Sequence, residues 1–307
     1  MDISIIIVNY NTKNCLRNCL NSVYETIHCI AFEIIIVDNA SSDGSQGMVR
    51  TEFPQVHLIE NERNLGFGAA NNQALAIMDG RYALLLNTDT ILKENAVSEL
   101  FSFMENQLNA AMACGQLLNA DGSKQNSIAP FPSTATLLFN MPLLEKIFPQ
   151  KYPSKRYDHK KPVEIDSGIG ACLIVRRKAI EEVGLFDERY FFFFEETDWA
   201  WQMKKVGWKI FHVPTAYIYH FQGQSIGHDI RSRTEFYRSR YQFFQKWKTN
   251  SHFLLIFSIL FIRLLINWLL ASIANVLILG LNREMRNKWI TYSQLVFWHL
   301  KGRPYLK

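Results

Sequence analysis

ISIIIVNYNT at residues 3–12 and FEIIIVDNASSDGS at residues 32–45 share one pattern: a β-branched run that passes, without alternation, into small polar residues. An unbroken apolar run describes a strand buried on both faces, as in a parallel sheet covered by helices. Between the two runs, residues 15–26 have helical spacing, so the segment forms a βαβ unit. The same reasoning puts a third strand at 56–60, a helix at 69–78 and a fourth strand at 82–86. The first ninety residues then form one half of a doubly wound α/β fold.

Six of the nine prolines fall within 130–162, together with Lys146, Lys151, Lys155, Arg156, Lys160 and Lys161, which marks a loop-rich insertion. Regular structure resumes with a strand at 171–176, a helix at 177–183 and the aromatic run 191–194. A helix at 195–206 stopped by Gly207 follows, then strands at 209–213 and 217–220. The 307 residues, 48% hydrophobic and 20% charged, suffice for one catalytic-sized domain and an appendage. The net charge of +5 collects in the last third, so it describes a local surface, and no nucleic-acid partner is expected. Five cysteines, with Cys15 and Cys19 one helical turn apart, fit core packing in a reducing compartment. Met1 and Asp2 lead directly into a strand without signal-peptide features, and the expected location of this part is the cytosol.

Residues 253–280 are strongly apolar, with Arg263 as the sole charge, and are about as long as a membrane span, roughly 20 residues. Basic residues flank both ends: Arg231, Arg233, Arg238, Arg240, Lys246 and Lys248 before, Arg283, Arg286, Lys288, Lys301, Arg303 and Lys307 after. Both flanks therefore have cytoplasmic character, which an in-plane or re-entrant anchor satisfies and a single crossing does not. The other reading is a buried helical hairpin or a dimer interface, with Arg263, Asn267 and Asn275 along a polar seam, so a homo-oligomer stays open.

Ligands of an open α/β sheet bind at the carboxyl ends of its strands. There the sequence has Asn9-Tyr10-Asn11-Thr12 and Asp38-Asn39-Ala40-Ser41, in which Asp38 can accept hydrogen bonds from a base or ribose. Taken alone, Asp38 reads equally well as a turn former. Asn64-Leu65-Gly66-Phe67-Gly68 precedes a helix with the small residues that let backbone approach a nucleotide, although its spacing is not the dinucleotide fingerprint. Asn87-Thr88-Asp89 closes the fourth strand, where a carboxylate can hold a divalent cation beside a diphosphate.

SIIIVNYNT, IIIVDNASSDGS, NLGFGAANN, LLLNTDT, GLFDERYFFFFEETDWAWQMKKVGW and HFQGQS occur in the order and spacing of family-2 glycosyltransferases. The chain resembles most the branch containing bacterial rhamnosyltransferases of surface polysaccharide synthesis, over about residues 2–227. The resemblance implies a GT-A fold, an α/β Rossmann-like doubly wound and mostly parallel sheet. It also implies a nucleotide-diphosphate sugar donor, a saccharide or lipid-linked acceptor, a divalent cation (manganese or magnesium) and inversion at the anomeric carbon. By the same resemblance, Asp38 recognises the base, and Asn9, Asn39, Asn64, Gly66 and Asn71 shape the donor pocket. Asp89 matches the second acid of the family's D-x-D metal motif, while Asn87 replaces the first. His220 matches a histidine that in some relatives completes the metal shell.

Glu195-Glu196-Thr197-Asp198 aligns with the family's E-D-x-D segment and makes Glu196 the catalytic base, where the family usually has Asp. Glu195 and Asp198 then cap or orient the start of a helix. The expected organisation is a glycosyltransferase domain at 1–227 (donor half 1–90, acceptor half 91–227), a basic helical connector at 228–250 and a membrane-associating region at 251–307. The whole would sit on the cytoplasmic face of the cell membrane. Two rivals remain: a nucleotidyltransferase, which should open with a glycine-rich Arg-containing loop absent at 9–14, and a non-catalytic nucleotide-sugar-binding scaffold, favoured if Asn87 and Glu196 mark lost activity.

Overall fold

The computed structural model describes residues 1–153, 159–221, 230–277 and 281–302. Lys155 and Arg156 of the insertion, residues 222–225 of HFQGQS, residues 278–280 of the apolar stretch, and Arg303 and Lys307 of the tail lie outside the described residues. The chain divides into two compact units, one formed by Met1–Phe131 and Met141–Ile226, the other by Pro132–Asn140 and Gly227–Lys307.

The first unit opens with β1 (Ile3–Asn9), α1 (Lys13–Thr26), β2 (Phe32–Asp38), α2 (Ser45–Glu52), β3 (His57–Glu60), α3 (Phe67–Leu75) and β4 (Tyr82–Leu86). β5 (Thr90–Leu92), α4 (Ala96–Asn106), β6 (Ala110–Leu118) and the short β7 (Ile128–Ala129) follow. The chain then contributes α5 (Thr134–Leu138) to the second unit and returns with α6 (Met141–Ile147), β8 (Val163–Ile165), β9 (Ser167–Gly168), β10 (Cys172–Arg176), α7 (Arg177–Val183), α8 (Glu195–Lys205) and β11 (Lys209–His220).

Among the described residues, nine strands form one sheet in the order β3-β2-β1-β4-β10-β6-β11-β5, with β8 also on β11. The β3, β2, β1 and β4 block is parallel, β10 runs against both its neighbours, and β11 is parallel to β6. The apolar runs explain this placement. Ile3, Ile5 and Ile7 of β1 join Leu16 and Leu20 of α1 on one face, while Ile6 meets Ala70 and Ala74 of α3 on the other. A strand buried on both faces leaves only its carboxyl end for polar chemistry. The α/β fold with a mostly parallel sheet is as expected.

Two local readings change. The aromatic run 191–194 is not a regular element, since Phe193 and Phe194 take left-handed backbone (φ +68° and +73°). The two strands expected at 209–213 and 217–220 are one strand, β11, whose register with β6 shifts between Val213 and Tyr217.

The second unit holds α9 (Ile230–Trp247), α10 (Asn250–Leu277) and α11 (Arg283–Leu300) besides α5. α10 and α11 pack antiparallel: Trp268 Nε1 donates to Ser293 Oγ at 3.0 Å, and the His299 ring lies 5.5 Å from that of Phe261. Arg263 donates to the Leu137 carbonyl at 3.1 Å, so the one charge of the apolar helix is spent inside this unit. Leu255, Ile262, Ile266, Leu269, Ile273 and Val276 form an exposed stripe along α10.

Candidate functional site

The carboxyl ends of β1 and β2 lie side by side, with Asn9 opposite Asp38 in register. Asn9 Nδ2 donates to Asp38 Oδ2 at 2.6 Å and to Ser41 Oγ at 3.0 Å. Asp38 Oδ1 accepts from the Ser41 N–H at 2.8 Å and from Gln46 Nε2 at 2.7 Å. A carboxylate offers about four acceptor positions, so three bonds leave one, on Oδ2. The asparagine amide is itself fixed, because Thr12 Oγ1 donates to Asn9 Oδ1 at 2.8 Å. Asp38 is thus a turn former with one acceptor position to spare.

Next to this pair, Asn39 Nδ2 donates to the Gly66 carbonyl at 3.2 Å and Asn64 Oδ1 accepts from the Gly66 N–H at 2.9 Å. Gly66 has φ +88°, and a Cβ there would stand 2.4 Å from the Phe191 carbonyl oxygen. Only glycine allows that approach, which lets the Phe67 N–H donate to the same carbonyl at 2.9 Å. The turn before α3 is therefore tied to the loop before α8. Asn71 is buried and bonded back to the Phe67 carbonyl at 2.9 Å.

Asp89 lies in the loop from β4 to β5 and His220 ends β11, and the pairing of Thr90 with His220 brings them together. Asp89 Oδ1 faces His220 Nε2 at 3.5 Å, beyond a normal N–H···O bond. Both groups are nearly buried, and among the described residues Asp89 Oδ1 has no hydrogen-bond partner. A buried acceptor left without a donor is costly. Two ligand-type atoms facing each other at this separation fit a divalent cation, with oxygen and imidazole nitrogen both suitable for manganese. The described residues offer no group of three or more such ligands, so a diphosphate would have to supply the rest of the shell. Asn87 is part-exposed beside them, and its N–H donates to the Ala171 carbonyl at 3.0 Å.

The acidic cluster separates by environment. Glu195 and Asp198 are buried, at 2% and 1% exposure, and Asp198 accepts from Tyr190 Oη at 3.3 Å and Gln202 Nε2 at 2.9 Å. Glu196 alone keeps partial exposure. Its carboxyl sits in a recess at the start of α8 beside Gly170, where a Cβ would be 3.7 Å from the carboxyl carbon. Loss of water around it raises its pKa to about 7, against the opposing pull of the Glu196 and Thr197 N–H groups. Gly170 adjoins Ala171, whose carbonyl accepts from the Asn87 N–H, so the recess beside the acid is next in sequence to the residue that holds the Asp89 loop.

Ser41, Gln46, Gln125, Tyr190, Gln202 and Gly170 are absent from the sequence-based site. Ser41, Tyr190 and Gln202 stand inside the quoted motifs without a role assigned to them, and Gln46, Gln125 and Gly170 stand in none; all six are recognisable by what they touch.

Polar strand ends on a sheet of this order, a glycine turn before α3 and an acid at the start of α8 define a transferase built to hold a nucleotide-linked substrate. The chain belongs to glycosyl transferase family 2, whose model matches residues 4–184. It is a glycosyltransferase with a nucleotide-sugar donor. N-acetylglucosaminyl-diphospho-decaprenol L-rhamnosyltransferase of Mycobacterium tuberculosis is 28% identical over 214 residues, 65% of this chain and 69% of that protein. The low-salt glycan biosynthesis hexosyltransferase Agl10 of Haloferax volcanii is 26% identical over 66% of this chain and 62% of its own length. In fold the chain is similar to the mannosyltransferase PcManGT from Pyrobaculum calidifontis in complex with GDP-Man and Mn2+, with a TM-score of 0.57, 15% identity, and coverage of 97% of this chain and 87% of that one.

Proposed function

We propose that this enzyme transfers its sugar with inversion to a hydroxyl of a saccharide or lipid-linked acceptor, with Glu196 as the base. The carrying observation is the contrast within the acidic cluster: Glu196 alone is partly open, and its carboxyl is raised to about 7. That value suits a group that must take a proton near neutral pH. In the transfer, the acceptor O–H proton passes to Glu196 as the oxygen bonds to the anomeric carbon, and the bond from that carbon to the diphosphate breaks. Glu195 and Asp198 hold the start of α8 instead.

Asp89 and His220 would hold a divalent cation, which when bound neutralises charge on the departing diphosphate. The Mn2+ in the mannosyltransferase complex supports this. Asp38, with one acceptor position left, suits a base edge presenting one N–H, as in uracil or thymine, better than guanine with its paired donors. A thymidine-linked rhamnose is the donor this supports, together with the branch.

The mycobacterial relative's decaprenol-linked substrate supports a lipid-linked acceptor, and thereby a membrane surface. α10 is about 42 Å long at 1.5 Å per residue, and its exposed apolar stripe supports contact with lipid. Arg283, Arg286 and Lys288 stand at the start of α11, next to where α10 ends. A hairpin inserted tip first would carry them into hydrocarbon, which is costly; lying in the plane of the cytoplasmic leaflet avoids this. The deciding experiment replaces Glu196 by Gln and follows nucleoside diphosphate release from a panel of nucleotide sugars. Donor binding should persist while turnover drops about a hundredfold or more; near-normal turnover would remove Glu196 from the role.

A further inference from the structure

Residues 119–125 form a tight hairpin: the Asn119 N–H donates to the Ser123 carbonyl at 2.8 Å, the Gly122 N–H to the Asn119 carbonyl at 2.9 Å, and the Gln125 N–H to the Leu117 carbonyl at 2.8 Å. Inside it, the side chains bond in series. Ser123 Oγ donates to Asp121 Oδ1 at 2.6 Å, and Asn119 Nδ2 donates to Ser123 Oγ at 2.9 Å. Gln125 Nε2 donates to Asn119 Oδ1 at 3.0 Å and to the His220 backbone carbonyl at 3.2 Å. Gln125 Oε1 then stands 2.7 Å from His220 Nδ1.

The direction of every bond in this series follows from its first member. The Ser123 bonds hold the Asp121 carboxyl below the usual carboxylate range, so it is ionised and can only accept. The serine hydroxyl must therefore donate to it, which leaves the serine oxygen to accept from the Asn119 amide nitrogen. Asn119 in turn presents its oxygen to the Gln125 amide nitrogen. The reversed glutamine would put its oxygen against two other acceptors, the Asn119 oxygen and the His220 carbonyl. Gln125 Oε1 is consequently fixed toward the imidazole, and a ring nitrogen 2.7 Å from it has to carry a hydrogen.

We infer that Gln125 is a positioning residue that sets the tautomer of His220, protonating Nδ1 and presenting the bare Nε2 lone pair to Asp89. The inference rests on the reading of Asp89 and His220 as a cation site and deepens it. A metal-ligating imidazole commonly donates its other N–H to an oxygen, which fixes ring orientation and raises ligand basicity. Here that oxygen is a neutral amide, polarised from an exposed carboxylate four residues back in a hairpin. The 3.5 Å between His220 Nε2 and Asp89 Oδ1 follows: with the proton on the far nitrogen, the two facing atoms are both acceptors.

The test uses the full chain, metal-free and labelled with 15N-histidine, in long-range proton–nitrogen correlation spectra, with the His220 signals assigned by their loss in His220→Gln. In the unsubstituted chain, His220 should show a protonated Nδ1 and an unprotonated Nε2. Gln125→Leu should move the proton to Nε2. In parallel, Mn2+ binding in the presence of inorganic pyrophosphate, followed by electron paramagnetic resonance, should weaken about 10–100-fold in Gln125→Leu. A protonated Nε2 in the unsubstituted chain, or an unchanged tautomer in Gln125→Leu, overturns the inference. If the tautomer moves as expected but no variant holds Mn2+, the cation reading falls and the positioning role stands. If Mn2+ binds and is insensitive to Gln125→Leu, with the tautomer unmoved, the reverse holds.

Discussion

The pH dependence of turnover gives the sharpest check on Glu196. A base works when deprotonated, so a carboxyl at about 7 is about 9% active at pH 6 and about 91% active at pH 8, a rise of about tenfold in rate. At the ordinary value of 4.5, about 97% would already be active at pH 6, and the profile across this range would be flat. Nucleoside diphosphate release, measured as kcat/KM from pH 5.5 to 8.5, should therefore show an acid limb centred near 7. The control is Glu196→Gln: its residual activity should lose the limb. A flat profile, or a limb that survives in Glu196→Gln, refutes the reasoning. The same shift acts oppositely on stability. A carboxyl whose folded value is raised favours the native state when protonated, so its contribution is full below about pH 4.5 and declines as pH rises to about 7.

Chelation should abolish turnover and manganese or magnesium should restore it, with Asp89→Ala weakening donor binding as well as rate; full activity in a chelator would sink the cation site. Gly66→Ala introduces a Cβ 2.4 Å from the Phe191 carbonyl at a positive φ, and should lower the melting temperature by several degrees, for a cost of about 1–3 kcal/mol; an unchanged melt would show that the loop moves freely. Ile262→Glu combined with Ile273→Glu, both on the exposed stripe of α10, should reduce co-sedimentation with anionic vesicles severalfold and leave donor binding intact. Unaltered co-sedimentation would point to that stripe meeting another protein instead.

The first ninety residues were legible because β1, β2 and β4 are runs of large β-branched or leucine side chains ending in polar residues. α7 was placed at its observed bounds for a comparable reason, a basic start and a following glycine. β6 was invisible: its Ala110, Ala111, Ala113 and Gly115 are small because strands and helices crowd both its faces. A Cβ on Gly115 would meet Ile218 at 2.4 Å. Alanine-rich sequence has weak strand preference, so such a strand owes its state to packing. Phe191–Phe194 misled for the opposite reason, since aromatic strand formers there serve a strained turn at the start of α8. The site divides similarly. Asp38, Asp89 and Glu196 could be proposed from strand ends and motif spacing, whereas Gln125 is bonded to a histidine 95 residues away, a relation that only the sheet creates.

The excursion of residues 132–140 has a practical consequence. Leu137 is buried among helices that begin nearly a hundred residues later, with Thr134 bonded to His252 at 3.3 Å and the Leu137 carbonyl to Arg263. The helical unit is therefore discontinuous in sequence, and a stop codon after Lys248 does not excise it. Such a truncation leaves the five-residue α5 and the whole of α9 without the α10 and α11 helices of their unit. Poor solubility of that fragment would say nothing about the first unit, and a soluble version has to remove α9 and replace Pro132–Asn140 as well.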